Sequence, residues 1–312
     1  MAESISLPES EEPAGLPIAA SPWFKRVLSE FRHNPRWWFS LVLLAFILAA
    51  IFAPLVSPYD PLAYHPVITA QPPTWAHLLG TDSLGRDQLS RIIYGTRVSL
   101  SIGLISILLG GLTGTLLGML AAYFKGWVDQ LIAILVDALL AFPSLLLALA
   151  IIAALGPSLI NLAIALAIVR VPIYARLARG QTLQVVSQDY IMAAHSAGTH
   201  TLKILTRHIL PNIFGPLLVQ ATISVSLAIL DESIFSFLGL GAQPPTPEWG
   251  AMINDAQTFL ASDPWMMFGP ALAIVLVLVS LNLVGDALRG LLDPRDAERI
   301  TMIFRTTRGG SS

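Results

Sequence analysis

The chain has 312 residues, 54% of them hydrophobic and only 12% charged, with a formal net charge of −2 and a mean hydropathy of +0.69. A soluble domain carries about twice that charged fraction, so the composition excludes a water-solvated globule and requires solvation by lipid. The absence of cysteine excludes disulfides, thiol catalysis and Cys-ligated metals.

Residues 1–22 are acidic, with Glu3, Glu9, Glu11 and Glu12, and lack the basic n-region of a cleavable signal peptide, so the first apolar segment is retained. Segment 23–36 sets Trp23, Phe24, Val27, Leu28 and Phe31 among basic residues; an interfacial amphipathic helix and a plain basic arm both fit. Charge-free stretches follow at 37–59, 98–124, 208–230 and 264–285, each long enough for a hydrocarbon core that takes about 20 helical residues. Region 131–174 holds two more, divided at Gly156-Pro157, where a helical hairpin turns. The pattern predicts an all-α integral membrane protein with six spans near 37–56, 98–122, 131–155, 158–174, 211–231 and 267–286. A 1–36 arm precedes the 37–288 membrane domain, and a 289–312 tail follows it.

Orientation comes from the basic residues. Fifteen of the 18 Lys and Arg fall in the N-terminal arm, at Lys125, within 170–207 and in the tail, whereas segment 231–268 has none and carries Asp231, Glu232, Glu248, Asp255 and Asp263. The positive-inside rule then puts both termini and the 175–211 loop in the cytoplasm, with 57–97 and 231–268 outside.

Between the first two spans the Pro-rich SPYDP and QPP segments favour extended chain, and LGTDSLGRDQLSRIIYG reads as a short surface helix that Asp82 or Ser83 caps. The second span carries Gly110, Gly114 and Gly118, one per helical turn, a stripe that permits close helix packing in lipid. Asp137 stands six residues before Pro143 in the third span and Arg170 lies in the fourth; neither should face lipid. Pairing of Asp137 with Arg170 or Arg176 is one reading, and a place in the pathway or gate is the other.

The loop DYIMAAHSAGTHTLKILTRHILP, 189–211, reads as a small-faced helix followed by a turn that ends at Pro211. Ala193, Ala194, Ala197 and Gly198 fall at i, i+1, i+4 and i+5, a stripe with almost no side chain that lets another protein approach the backbone. Leu202 and Leu205 extend it. Its three histidines, 195, 200 and 208, do not share a helix face and are not read as metal ligands. After the fifth span a loop opens at Asp231-Glu232; Gly239 and Gly241 allow a reversal, and Glu248-Trp249 starts a short helix through Asp255. There is no G-x-x-x-x-G-K-[ST] loop, HExxH or Cys cluster, so no catalytic group, cofactor or metal is expected. On residues alone, an ion-coupled secondary transporter working through Asp137, Glu232 or Arg170 competes with a transport subunit driven from elsewhere.

Four segments resemble one family: HLLGTDSLGRDQLSRIIYGTR (77–97), VDALLAFPSLLLAL (136–149), the 189–211 loop and SFLGLGAQPPTPEWG (236–250). The Ala-Ala, three-residue, Gly198 spacing with Leu210-Pro211 twelve residues on resembles the EAA loop of permease subunits in binding-protein-dependent ABC importers. The likeness covers about residues 25–295 and points to the C-type permease of dipeptide, oligopeptide and nickel importers. Met192 and His208 depart from the general EAA pattern in a manner similar to the peptide branch. The resemblance implies a type I ABC importer transmembrane domain in a bacterial inner membrane, coupled through Asp189, Tyr190, Ala193, Ala194, Ala197, Gly198, Leu202, Leu210 and Pro211. Its implied partners are a second, B-type permease, two ATP-binding subunits that hydrolyse ATP, a periplasmic solute-binding protein and membrane lipid, with no nucleic acid. Asp137, Pro143, Glu232, Gly239 and Gly241 are then pathway or gate candidates. Peptides lead as substrate, with nickel, glutathione and opines as alternatives.

Overall fold

Apolar composition and the demand that every backbone amide be satisfied without water favour helices, and helices are what the chain builds. The computed structural model describes residues 38–292, with side chains through Arg289; the expected arm 1–36, its 23–36 stretch and most of the tail lie outside the described residues. Eleven α-helices are described: α1 (Trp38–Ile51), α2 (Ala53–Val56), α3 (Gln88–Phe124), α4 (Gly126–Leu140), α5 (Ser144–Leu155), α6 (Leu159–Val186), α7 (Asp189–Ser196), α8 (Thr201–Lys203), α9 (Leu210–Phe237), α10 (Trp249–Gln257) and α11 (Trp265–Leu292). A π-helical stretch, Ile204–Ile209, joins α8 to α9. Among the described residues the only β pairing is one bridge between Thr81 and Asp87. By length and apolarity α3, α6, the continuous run 201–237 and α11 can each cross a membrane; α4 with α5 makes a fifth crossing if the bent pair counts as one, and α1 is a shorter apolar helix.

Four expected segments differ from the structure. The surface helix expected before the second span is not separate, because Asp87 caps a single 37-residue helix through Ser90 N, about 55 Å long at 1.5 Å per residue. The third segment breaks at Ala141–Pro143 and turns by 90°, since Pro143 has no N–H to donate and its ring clashes with the preceding turn. At the other end of α5 the expected hairpin is present. Gly156 takes φ +90°, Ser158 Oγ accepts from Asn161 N at 3.1 Å, and Asn161 Nδ2 donates to the carbonyls of Leu155 and Gly156 at 3.0 Å each. The fourth helix runs on to Val186, twelve residues beyond its expected end, because Arg176 and Arg179 find carboxylate partners on α4. The fifth continues to Phe237, taking in Asp231 and Glu232, which were expected in a loop.

Parallel α3 and α6 form the most extensive helix contact, and glycine is the reason. A Cβ built on Gly110 would lie 2.4 Å from Ala167 O, on Gly114 2.5 Å from Val171 O, and on Gly118 2.3 Å from Ala175 O. The three missing side chains let two backbones touch, which in lipid replaces hydrophobic driving force with dispersion contact. Around this pair lie three apolar clusters: one at the α7 end (Met119, Tyr174, Ile191, Ile204, Ile209, Ile213), one between α5 and α6 (Ile152, Leu162, Leu166), and one beside α10 and α11 (Ile92, Trp249, Val277).

Gly114→Leu should therefore separate α3 from α6. An overpacked contact of this kind costs about 1–3 kcal/mol or more, to be read as a lower unfolding midpoint in detergent, while Leu112→Ala on the exposed face of α3 leaves the midpoint unchanged.

Candidate functional site

The 189–211 element is fixed on one side and bare on the other. Ile191 of α7 and Ile204, Leu205 and Ile209 beyond it are buried against α3 and α6 residues Met119, Tyr174 and Ala178. Ala193, Ala197 and Gly198 are exposed, Ala194 is half-buried, and Tyr190, Met192 and Leu202 present apolar surface around them. The expected helix through Gly198 is cut short: α7 ends at Ser196, and Gly198 adopts φ +73°. Thr199 N donates to Ala194 O at 3.1 Å and Gly198 N to His195 O at 3.0 Å, the paired bonds of a Schellman ending. The small residues therefore wrap a helix end and a turn rather than lining a straight stripe.

Beyond the turn, His200 Nδ1 accepts from Leu202 N at 3.3 Å and starts α8. Pro211 does not end a turn as expected; it lies in the first turn of α9 within continuous helix, and the π-helical stretch before it absorbs its missing donor, with Leu210 N bonding Leu205 O. Tyr190 accepts from Asn212 Nδ2 at 3.3 Å and faces the His208 ring at 6.4 Å, which ties α7 to the foot of α9. Asp189 sits in the first turn of α7, Leu210 is at the margin of exposure and Pro211 is exposed.

Three arginines of α6 each meet a carboxylate. Arg170, buried, pairs with Asp231 of α9. Arg176 Nη2 lies 2.8 Å from Asp137 Oδ1, and Arg179 holds Asp129 by two bonds of 2.6 and 2.7 Å. Of the two partners expected for Asp137 the structure selects Arg176, because Arg170 turns to α9. The Asp137 and Arg176 side chains are 66% and 61% exposed, so this pair is not inside the subunit. It borders a cavity of about 210 Å³ with Gly118, Val136 and Arg179. Pro143, at the α4–α5 bend, is exposed on the neighbouring surface. Asp129, Arg179 and Asp231 were missed as site residues; acidic residues facing Arg at 170, 176 and 179 in apolar sequence were the available signal.

At the opposite end, segment 77–97 forms an elbow. Asp82 accepts Leu84 N and Arg86 N at 2.9 Å each and Arg86 Nε at 2.6 Å, with Arg91 Nε at 3.4 Å. Arg86 reaches Asp255 of α10 at 3.8 Å, and Arg91 Nη1 donates to Pro61 O at 3.3 Å. Burial pushes the Asp255 carboxyl up, opposed by the charges of Arg91 and Arg86. Gly85 holds φ +74°, and a Cβ there would lie 1.9 Å from His65 O, so no other residue fits.

The loop after α9 turns where expected. Gly239 has φ +77° and is exposed, whereas Gly241 is packed on Ser236. Glu248 caps α10 by accepting Gly250 N and Ala251 N at 2.7 and 2.8 Å, while burial pushes its carboxyl up. Trp249, fully buried, donates to Ile92 O at 3.2 Å. Glu232 is also fully buried, with no surface for a passing solute to touch in this conformation.

Against that geometry the comparisons are specific. Residues 114–296 match the family described as binding-protein-dependent transport system inner membrane component, and residues 21–73 match the N-terminal TM domain of oligopeptide transport permease C. A dipeptide transport system permease protein of Alkalihalophilus pseudofirmus is 43% identical over 92% of this chain and 95% of its own length. A di/tripeptide transport system permease protein of Pseudomonas aeruginosa is 45% identical over 87% and 92%. In fold, the chain is similar to a subunit from an inward-facing methionine ABC transporter structure, at a TM-score of 0.55 and 16% identity, over 66% of this chain and 97% of the other.

The two charge clusters should respond differently to truncation. Asp82→Ala leaves Arg86 and Arg91 buried without their shared carboxylate and should cost about 3–5 kcal/mol. Asp137→Ala breaks an exposed pair and should cost about 1 kcal/mol or less. Equilibrium unfolding of each variant in mixed micelles measures both.

Proposed function

The chain belongs to the binding-protein-dependent transport system inner membrane components, and from that premise we propose that it is the permease subunit of an ATP-driven importer of di- or oligopeptides. The reading rests on the 189–202 element, whose inner side is pinned by Ile191 and by Ile204 and Leu205 just beyond it, and whose outer side exposes the small residues Ala193, Ala197 and Gly198 ringed by Tyr190, Met192 and Leu202. A surface of that form receives a push and transmits it, because the buried isoleucines tie it to α3, α6 and α9 as one body. An ATP-binding subunit docks over Ala193, Ala194, Ala197 and Gly198, with Tyr190 and Leu202 as flanking anchors, and ATP hydrolysis belongs to that partner. Peptide as the substrate class is carried over from the two permease relatives, and family membership argues against the ion-coupled secondary transporter.

The remaining partners are a second, B-type permease, a second ATP-binding subunit and a solute-binding protein on the outer side. The exposed Asp137–Arg176 pair supports a pathway or permease-facing role for the α4–α5 surface, since charges in the membrane interior are not left to lipid. Pro143 gives that surface its bend. Glu232, Gly239 and Gly241 act on the gate through the seating of the outer loop. The protein resides in the bacterial inner membrane with both termini cytoplasmic.

Coupling is tested by bulk on the bare face. Ala194→Trp and Ala197→Trp should leave the permease inserted but lower ATP-dependent, vanadate-sensitive peptide uptake in reconstituted vesicles at least tenfold, a loss of about 1.4 kcal/mol or more of coupling. Gly198→Trp adds backbone strain at φ +73° and is the less clean probe. Normal uptake and normal ATPase retention in both alanine variants would remove the coupling assignment. Orientation is tested with single cysteines and an impermeant maleimide on intact cells: Ser262 and Ala70 should label and Ser196 should not.

A further inference from the structure

Two carboxyl side chains from different segments meet inside the bundle with no cation between them. Glu232 lies near the end of α9 and Glu248 opens α10; both are fully buried, and Gly250, two residues past Glu248, sits so close on α9 that a Cβ there would lie 2.1 Å from Ser233 O, which sets the two carboxyls beside each other. Serines complete the enclosure, with Ser99 Oγ of α3 at 3.4 Å from Glu248 Oε1, and Ser233 Oγ and Ser236 Oγ of α9 each at 3.5 Å from a Glu232 oxygen. Cations on the surrounding elements are engaged elsewhere. Arg170 of α6 pairs with Asp231, and Arg86 and Arg91 pair with Asp82 and Asp255. Arg97 of α3 is exposed, and α11 carries no charged side chain before Asp286.

Two buried carboxyls side by side can hydrogen-bond each other only if one keeps its proton, because an ionised carboxylate has none to donate. Like charges in contact where water is excluded strongly favour keeping one proton on the pair. We infer that Glu232 and Glu248 hold a single proton between them, and that this proton seats the 238–248 loop and the start of α10 on the end of α9. The upward push of burial on the Glu248 carboxyl acts in the same direction. Other contacts hold the loop near its place when the pair opens: Ala242 N donates to Ser236 Oγ at 3.3 Å and Asn254 Nδ2 to Phe237 O.

The sign of the pH dependence follows from counting protons. With the loop lifted, both carboxyls are in water and ionise near the ordinary value of about 4.3. Seating is at full strength below that value. It weakens by about tenfold per pH unit above it, as long as lifting releases one proton, and levels off once the seated pair has lost its own. Seating of the loop over the outer end of α9 is thereby linked to external acidity.

The chain has no cysteine, and Ala242 is 3% exposed within the loop, so Ala242→Cys reports lifting without background. Its rate of thiol modification is measured on the full chain from about pH 5 to about pH 9, alone and combined with Glu248→Gln or Glu232→Gln, whose amide donates without needing a proton. Dividing by the Gln background at each pH cancels the thiol's own titration. The ratio should rise at least tenfold across that range, and the infrared carboxyl band of the wild-type chain near neutral pH should be lost in Glu232→Gln. A flat ratio in both backgrounds overturns the latch, and a wild-type spectrum without a carboxyl band overturns the shared proton, a result independent of whether either variant folds.

Discussion

The contact between α3 and α6 is the constraint on which the rest of the structure depends. In lipid there is no hydrophobic gain from bringing two apolar helices together, so they associate through closeness. Gly110, Gly114 and Gly118 provide it, each placing backbone where any side chain would collide with a carbonyl of α6. Once α6 is fixed against α3, its ends are fixed too. One end carries α7 against Met119 and Tyr174, and the other sets the hairpin into α5.

With those two helices in place, the charges sort by depth and exposure. Arg170 is enclosed and joins α6 to α9, Arg179 joins α6 to the start of α4, and Arg176 with Asp137 remains on the open surface of the subunit. The first two act as internal struts. The third is exposed and borders a cavity with Gly118, Val136 and Arg179. At the far end the Asp82–Arg86–Arg91–Asp255 group binds the elbow to α10, so the loop over α9 and the start of α3 form one assembly. Contacts at both ends thus converge on the same three helices, α3, α6 and α9.

A permease moved from outside needs one region that is stiff toward its own core and open to close approach from the driver. The 189–202 element meets both conditions: branched aliphatic residues lock its inner face, and a Schellman turn at Gly198 presents backbone on its outer face. The family relationship and this local form support the same assignment from separate grounds, one through sequence identity over most of the chain and the other through exposure.

Much was determined by sequence alone. Lipid solvation, the helical class, the glycine stripe and the turn at Gly156 follow from local composition and spacing, which need no knowledge of neighbours, and the family came from the resemblance of four segments; the break at Pro143 within the expected 131–155 span did not. What the tertiary structure decided are partnerships across the fold. Helix ends were misjudged wherever a charge found its mate far along the chain: Arg176 and Arg179 extend α6 because Asp137 and Asp129 face them, and Asp231 stays in α9 because Arg170 does. Pro211 read as a stop, yet a π-helical stretch upstream carries the helix through it. Glu232 and Glu248, sixteen positions apart, read as two exposed acids of an outer loop and are one buried pair. Local pattern determines which groups can be apolar or charged, whereas burial and pairing depend on which distant group arrives beside them.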